Sequence, residues 1–145
     1  MMKYKDFVYL YSRAHQEACC RFANVLAEKF AAYIGCSREE VSFLLYLPDS
    51  TTNSNPDCEV GNIKEICKGY AFITMSLRLK DEKSAYGNIT VDIGLQKFQD
   101  GFLSRIDDVF DTYLLSEEDN TKLNKFFDAL FKLFTEDRRF GSIIQ

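Results

Sequence analysis

One short stretch of the chain, AHQEACCRF at residues 14–22, holds the only histidine and two of the five cysteines. His15 and Cys19 are four residues apart, so on a helix they lie on neighbouring parts of one face. An imidazole and a thiolate placed in this way can bind one metal ion, or can pair a nucleophile with a base. No other segment has residue types that point as directly to chemistry.

The same stretch lacks what either kind of site needs. A structural zinc ion takes four ligands, and the chain has no second histidine and no C-x-x-C pair. Cys20 points to nearly the opposite side of the helix, and His15 falls inside an apolar stripe. We therefore expect His15 and Cys19 to be packed in the core, and we predict no metal site, no catalytic residue and no cofactor.

The element that carries this stretch is predicted to be one long helix over residues 4–34. Apolar residues recur at spacings of three and four and form a single stripe, with charged residues on the other side. The stripe consists of Tyr4, Phe7, Val8, Tyr11, Ala14, Ala18, Phe22, Val25, Leu26 and Tyr33. Gly35 is a natural helix stop. The length of the helix predicts that it spans the whole domain.

The middle of the chain has strand patterns. Residues 41–47 are a short apolar run, and residues 71–79 and 89–95 alternate apolar with polar side chains at a period of two. Residues 60–69 fit either a further strand or one short helical turn. These segments predict an antiparallel sheet of three or four strands, with a hairpin connection at residues 80–88.

The end of the chain returns to helical spacing. Apolar residues between 102 and 113 recur at three and four, and so do those between 116 and 139, where Ser116 and the acids after it are typical of a helix start. A long helix, then strands, then two helices predicts an α+β fold of two layers. At 145 residues the chain fits one domain covering residues 1–145.

Charge and composition exclude several classes of function. The net charge is −4 and the isoelectric point is about 5.1, so nonspecific binding to nucleic acid or anionic lipid is not expected. No apolar stretch reaches the roughly 20 residues that cross a bilayer. An odd number of irregularly spaced cysteines and no export signal predict free thiols and a cytoplasmic location.

Acidic residues cluster in the second half of the chain. They are Asp107, Asp108, Asp111, Glu117 and Glu118, followed by Asp119. Such a cluster can meet a basic surface on a partner protein and speed the encounter. Each acid also fits an ordinary solvated helix face or a helix start, because carboxylates suit the positive end of a helix.

Aromatic residues are the best-supported functional signal. The chain has thirteen phenylalanines and eight tyrosines, and most of them fit core stripes. Tyr9 lies off the helix stripe, Tyr70 and Phe72 lie on the more polar face of their strand, and Phe140 follows the last predicted helix. Exposed aromatic residues mark interfaces, so they predict protein binding, including self-association as a homodimer.

A metal-dependent nuclease is one alternative. Pro48 and Asp49 follow a predicted strand, and Asp81, Glu82 and Lys83 read D-x-K. This order resembles the PD-(D/E)xK nuclease core, which implies magnesium held by Asp49 and Asp81 and a water oriented by Lys83. In that core the second acid and the lysine project from within a strand, whereas here they fall in a predicted turn.

A small-molecule binding protein is the other alternative. Its ligand would lie between the long helix and the sheet, and Gly94, which faces away from the core, marks a close approach of ligand or backbone. By elimination, the sequence predicts a non-catalytic protein-binding module. An inhibitor, immunity or adaptor protein, acting through an acidic and aromatic surface, is the expected type.

Overall fold

A computed structural model describes residues 3–46, 54–106 and 111–135. The chain is α+β, with a long N-terminal helix, a seven-stranded antiparallel sheet and one C-terminal helix. In chain order the elements are α1 (Tyr4–Ile34), β1 (Val41–Leu44), β2 (Ser54–Asn55), β3 (Ile63–Cys67), β4 (Tyr70–Lys80), β5 (Ala85–Phe98), β6 (Gly101–Ile106), β7 (Thr112–Leu115) and α2 (Asn120–Thr135).

The strand order of the sheet is β2-β1-β4-β5-β6-β7, and β3 also pairs with β4. Because β5 pairs with β4 from Ala71 to Lys80, β1 and β3 share the other edge of β4. β1 pairs opposite the part from Met75 to Leu77, and β3 pairs opposite the part from Tyr70 to Ile73. Every pairing is antiparallel, so one face of the sheet can be apolar and the other polar.

The core lies between the two helices and the inner face of the sheet. The strands predicted at residues 71–79 and 89–95 are confirmed as β4 and β5, and Ile73, Met75 and Leu95 are fully buried. On β4 the polar residues Thr74 and Ser76 are buried too, so this strand is covered on both faces there. Phe22 of α1 stacks on Phe102 of β6 with ring centroids 4.3 Å apart. The ring centroids of Phe30 and of Phe127 on α2 are 5.5 Å apart. Full burial of one such side chain contributes about 1.5–3 kcal/mol.

A buried asparagine joins β1 to the segment before β3. Asn62 is fully buried, and its Nδ2 donates to the carbonyl oxygens of Phe43 (3.2 Å) and Leu44 (2.9 Å). Its Oδ1 accepts from the backbone N of Glu59 at 2.8 Å and from Nδ2 of Asn55 at 3.2 Å. All four hydrogen bonds fix the path of the chain around the end of β1.

The helix predicted for residues 102–113 is wrong. Residues 101–106 form β6 and residues 112–115 form β7. Phe102, Ser104 and Ile106 turn to the core and Leu103 and Arg105 turn away, so this short segment satisfies a strand period as well as a helical one. Pairing with β5 decides between the two, and the sheet has seven strands instead of three or four.

The predicted C-terminal helix from residue 116 is confirmed as α2, but it begins later. Asp119, and not Ser116, accepts the backbone N–H of Lys122 through Oδ1 at 3.2 Å. The helix therefore starts at Asn120 with Asp119 as its cap. Val109, Phe110 and residues 136–145 lie outside the described part of the chain, as do residues 47–53 of the predicted loop at 48–57.

The long helix predicted for residues 4–34 is confirmed as α1, which ends at Gly35 in the left-handed conformation (φ 78°). The expectation that its whole apolar stripe packs in the core is wrong. Buried residues of α1 begin only at Cys19, and the large apolar residues of its first turns are exposed. Neither described helix is both long and apolar enough to cross a membrane.

Candidate functional site

The first three turns of α1 carry an unpacked apolar surface. We call residues 4–14 the arm. Its large apolar side chains are between 43% and 83% exposed, although residue types of this kind are normally covered. They are Tyr4, Phe7, Val8, Tyr9, Leu10 and Tyr11. Contiguous exposed apolar surface of this kind marks an interaction site.

The arm is helical without packing on its own sheet, for local reasons. The backbone N of Lys3 donates to Oδ2 of Asp6 at 3.4 Å, and the backbone N of Asp6 donates to the carbonyl of Lys3 at 3.0 Å. At the other end, Arg13 and Glu17 form an i,i+4 ion pair at 3.1 Å. The packed part of α1 supplies the helix nucleus, so each added turn needs only propagation.

The apolar residues of the arm face every side of the helix. Residues 7–11 read FVYLY, and successive residues are turned by about 100°. Helices that are apolar all round are buried in larger assemblies, because no single neighbour covers them. From Tyr4 to His15 the arm extends about 16 Å at 1.5 Å per residue. The arm therefore offers about 16 Å of helix with apolar side chains on every side.

A ladder of rings anchors the arm to the sheet. Phe7 stacks near Tyr11 with centroids 6.4 Å apart, and Tyr11 lies 6.5 Å from His15 at an interplanar angle of 13°. Nε2 of His15 accepts the backbone N–H of Lys97 on β5 at 3.1 Å. This hydrogen bond ties α1 to β5 one residue after the arm ends.

His15 and Cys19 are brought together, as the spacing predicts, but the pair is not set up for chemistry. Cys19 Sγ lies 3.7 Å from Nε2 of His15 and donates to the carbonyl of Leu95 at 3.5 Å. Burial raises the pKa of the Cys19 thiol to about 11 and lowers the pKa of His15. Within the described ranges no group of three metal-ligating side chains is assembled.

A polar cleft holds the two cysteines that sequence reasoning did not pair. Cys20 of α1 and Cys58, from the segment between β2 and β3, both line a cleft of about 460 Å³. The cleft is lined by Arg13, Glu17, Cys20, Arg21, Cys58, Glu59, Val60 and Gly61. Cys58 is 38 residues from Cys20 in a region without periodicity, so no pattern in the sequence could pair them.

Tyr70 and Phe72 lie on the outer face of the sheet, as predicted, but both are half-buried rather than exposed. The guanidinium of Arg105 lies over the Tyr70 ring at 5.6 Å, and the two aromatic rings are 6.2 Å apart. Gly94 is paired across from Phe72, whose ring fills the space that a side chain at residue 94 would need. The close approach at Gly94 is thus made by a neighbouring ring.

The predicted acidic surface is only partly described. Asp107 and Asp108 lie outside the described residues. Asp111, Glu117 and Glu118 are exposed, but they flank β7 instead of lining a helix. The acids therefore do not form the single helix face that the spacing predicts, because that helix is replaced by strands.

The residues of the nuclease alternative are not assembled in the described chain. Asp49 lies outside it. Asp81 closes the turn between β4 and β5, where Oδ1 accepts the backbone N–H of Lys83 at 2.7 Å and of Ser84 at 2.8 Å. Oδ2 accepts the hydroxyl of Tyr86. This accounts for Asp81 as a turn-closing residue.

The space between α1 and the sheet is filled by side chains. The cavity between Leu26, Phe43 and Ile93 has a volume of about 10 Å³, which is at the lower limit for a single water. A drug-sized ligand needs about 300–1,000 Å³. In this structure the interior location predicted for a small-molecule ligand is therefore packed.

Comparison with known proteins adds no further constraint. No protein-family model matches the chain, and no curated protein and no solved structure is significantly similar to it.

Proposed function

We propose that the chain is a non-catalytic protein-binding module and that the arm is its main binding surface. The observation that carries the proposal is the exposure of six large apolar residues on three consecutive turns of one helix. Four of the six are aromatic, and aromatic side chains are enriched in interface centres. An inhibitor, immunity or adaptor role and a cytoplasmic location stay predictions within this class.

The first occupant that we propose for the arm is a second copy of this chain. Lys3, Phe7, Leu10, Ala14 and Glu17 follow one another at spacings of four, three, four and three, which is the spacing of a helix-pairing seam. Lys3, Phe7, Leu10 and Ala14 are exposed. A second arm that runs in the opposite direction, with the two Leu10 side chains adjacent, places Phe7 beside the small Ala14 of the other copy.

Charge supports the same pairing. In the antiparallel arrangement Lys3 of one copy lies near Glu17 of the other, so opposite charges meet at both ends of the seam. Of the four aromatic residues of the arm, Phe7 lies on this seam, together with Leu10 and Ala14. Two paired copies therefore cover the seam face of each arm and leave its other faces exposed.

The exposed acids extend the proposal to a second partner. Asp111, Glu117 and Glu118 lie in a different part of the chain from the arm, so a basic protein could bind there while the arms are paired. Binding of this kind weakens as salt is added, because screening shortens the reach of exposed charges. A complex whose affinity did not change with salt would contradict this extension.

The test is the mass of the protein in solution, measured by sedimentation equilibrium over a wide range of concentration. We expect the natural chain to be a dimer and Phe7→Ser/Leu10→Ser to be a monomer with unchanged circular dichroism. Phe131→Ser is the matched control, since Phe131 is 48% exposed on α2, away from the arm. That variant should stay dimeric.

Two results would contradict the pairing of arms. One is a natural chain that stays monomeric at every concentration. This includes the case in which the monomer binds lipid vesicles and sediments with them. The other is a dimer that the double substitution leaves intact. In either case the exposed arm would need a different occupant.

A further inference from the structure

The cleft beside α1 holds two thiols that come from distant parts of the chain. Cys20 and Cys58 are both buried, at 4% and 5% exposure, and they interact with each other through their side chains. Both line the cleft of about 460 Å³, which opens to solvent beside them. Two thiols in contact under an open cleft are the minimum that a dithiol site needs.

A side-chain clamp holds Cys58 in place. Asn24, one turn after Cys20 on α1, accepts the backbone N–H of Cys58 through Oδ1 at 2.6 Å. Its Nδ2 donates to the carbonyl oxygen of Cys58 at 3.3 Å. Because both backbone groups of Cys58 are bonded to α1, the approach of the two thiols is fixed by polar contacts as well as by packing.

The surroundings favour a thiolate on Cys20. The hydrogen bond from Cys58 is the largest cause that lowers the pKa of Cys20, against burial and the nearby Glu17 and Glu59, and Arg21 acts in the same direction. The same contact and burial raise the pKa of Cys58. The two thiols are therefore unequal, with Cys20 as the nucleophile and Cys58 as the proton donor.

The other cysteines do not share this environment. Cys19 donates to the carbonyl of Leu95, and burial raises its pKa to about 11. The pKa of Cys36 is raised, chiefly by burial. Cys67 is exposed on β3 and lies in another part of the fold. They supply internal controls for any reaction at the cleft.

We propose that Cys20 and Cys58 form a redox-active dithiol that closes to an intramolecular disulfide by exchange with a low-molecular-weight disulfide of the glutathione type. Arg13 of the arm and Glu17 of the seam also line this cleft, so the dithiol lies directly beside the arm. The reactive residue of the AHQEACCRF stretch is then Cys20. The spacing in the sequence points instead to Cys19, which is four residues from His15.

The exchange takes two steps. The Cys20 thiolate attacks one sulfur of the small disulfide, the S–S bond breaks, and the departing thiolate takes up a proton as the first free thiol. Cys58 then gives up its proton and attacks the Cys20 sulfur in the mixed disulfide, which releases the second small thiol. Overall, two protein thiols are oxidised to one disulfide, and one small disulfide is reduced to two thiols.

The test is intact-mass spectrometry of the full chain after incubation with oxidised glutathione, followed by peptide mapping. The natural chain should lose two hydrogens and yield a peptide that links Cys20 to Cys58. Cys58→Ser should instead stop at the first step and carry one glutathionyl group on Cys20. Cys20→Ser should form neither product in the cleft.

Controls separate the cleft from general thiol reactivity. Cys67→Ser removes the exposed thiol and should leave the Cys20–Cys58 product unchanged, as should Cys36→Ser. Circular dichroism of each variant checks that it is folded, and Cys20→Ala replaces Cys20→Ser if the hydroxyl is not tolerated. A natural chain that stays reduced at Cys20 and Cys58, or that reacts only at Cys67, would overturn the proposal.

Discussion

His15 at the base of the arm accepts the backbone N–H of Lys97 through Nε2, at a distance of 3.1 Å. Only the neutral imidazole can accept this hydrogen bond, because both ring nitrogens of the imidazolium are donors. Tyr11 stacks on one side of the ring and Cys19 Sγ lies 3.7 Å from Nε2. The hydrogen bond between His15 and Lys97 is therefore lost when His15 is protonated.

The pKa of His15 should be below its ordinary value of 6.5, because burial disfavours the charged ring. The stability that the neutral ring contributes is present above pH 6.5 and is lost as pH falls from there through the folded-state pKa. His15 is the only histidine, so its NMR titration is unambiguous. Tyr11→Ala exposes the ring and should move the midpoint back towards 6.5. A midpoint above 6.5 in the natural chain would contradict the arrangement.

Glu40 should make stability depend on acid pH. Hydrogen bonds from Arg78 (2.9 Å) and Lys80 (3.0 Å) hold the pKa of Glu40 at about 2, below its ordinary 4.5. Its contribution is present above pH 4.5 and is lost as pH falls through about 2. Glu40→Gln should therefore unfold at lower urea concentration at neutral pH, with the difference shrinking towards pH 2.

Glu39 supplies the control for Glu40. It is the exposed neighbour in the same turn, so Glu39→Gln should change the urea midpoint much less. If the difference between the natural chain and Glu40→Gln stayed constant with pH, the ion pairs would not be the reason for the loss.

Asn62 should be among the most sensitive positions of the domain. Asn62→Asp replaces the Nδ2 donor by an oxygen that faces the carbonyls of Phe43 and Leu44. Unpaired buried groups cost about 1–3 kcal/mol each, so we expect at least that loss in the free energy of unfolding. Asn55→Ala is the control, since Asn55 is half-buried and Oδ1 of Asn62 still accepts the backbone N–H of Glu59 without it. Equal losses for the two variants would contradict this role.

The contact between Gly94 and Phe72 should appear as an energetic coupling. A Cβ at residue 94 would lie 2.7 Å from the Phe72 ring, so Gly94→Ala should destabilise by about 1–3 kcal/mol. In a Phe72→Ala background the ring is absent, and the same substitution should cost much less. A double-mutant cycle by urea denaturation measures this difference. Additive losses would show that the ring is not the obstacle.

The elements that could be predicted are those in which local pattern and tertiary packing agree. β4 and β5 alternate over many residues, and α1 repeats its spacing over eight turns, so one interpretation fits each. Residues 102–106 fit both periods, and pairing with β5, a contact that no local window contains, decides for strand. The apolar stripe of α1 continues through residues 4–14, but these residues do not pack on the sheet. The sequence pattern is the same in the packed and unpacked parts, so it could not show where packing stops.

For the candidate sites too, the sequence showed local patterns but not the contacts made by the fold. The aromatic signal pointed to Tyr70 and Phe72, and the protein binding inferred from it stays a prediction. Those two rings are half-buried against Arg105 and Gly94, whereas Tyr4, Phe7 and Tyr11, which belong to the apolar stripe, are exposed. Cys20 and Cys58 lie in segments that only the fold brings together, so no local pattern could pair them.

The shared edge of β4 has a consequence for the order of folding. From β3 to β7 each strand pairs with the next in the chain, so residues 63–115 can assemble from contacts between neighbours. β1 reaches β4 across residues 45–69 and must close a longer loop, which is entropically slower. We expect the meander to form first and α1 with β1 to dock later. Asn62 and the Cys20–Cys58 pair then mark completion of the native state, since both depend on that last docking.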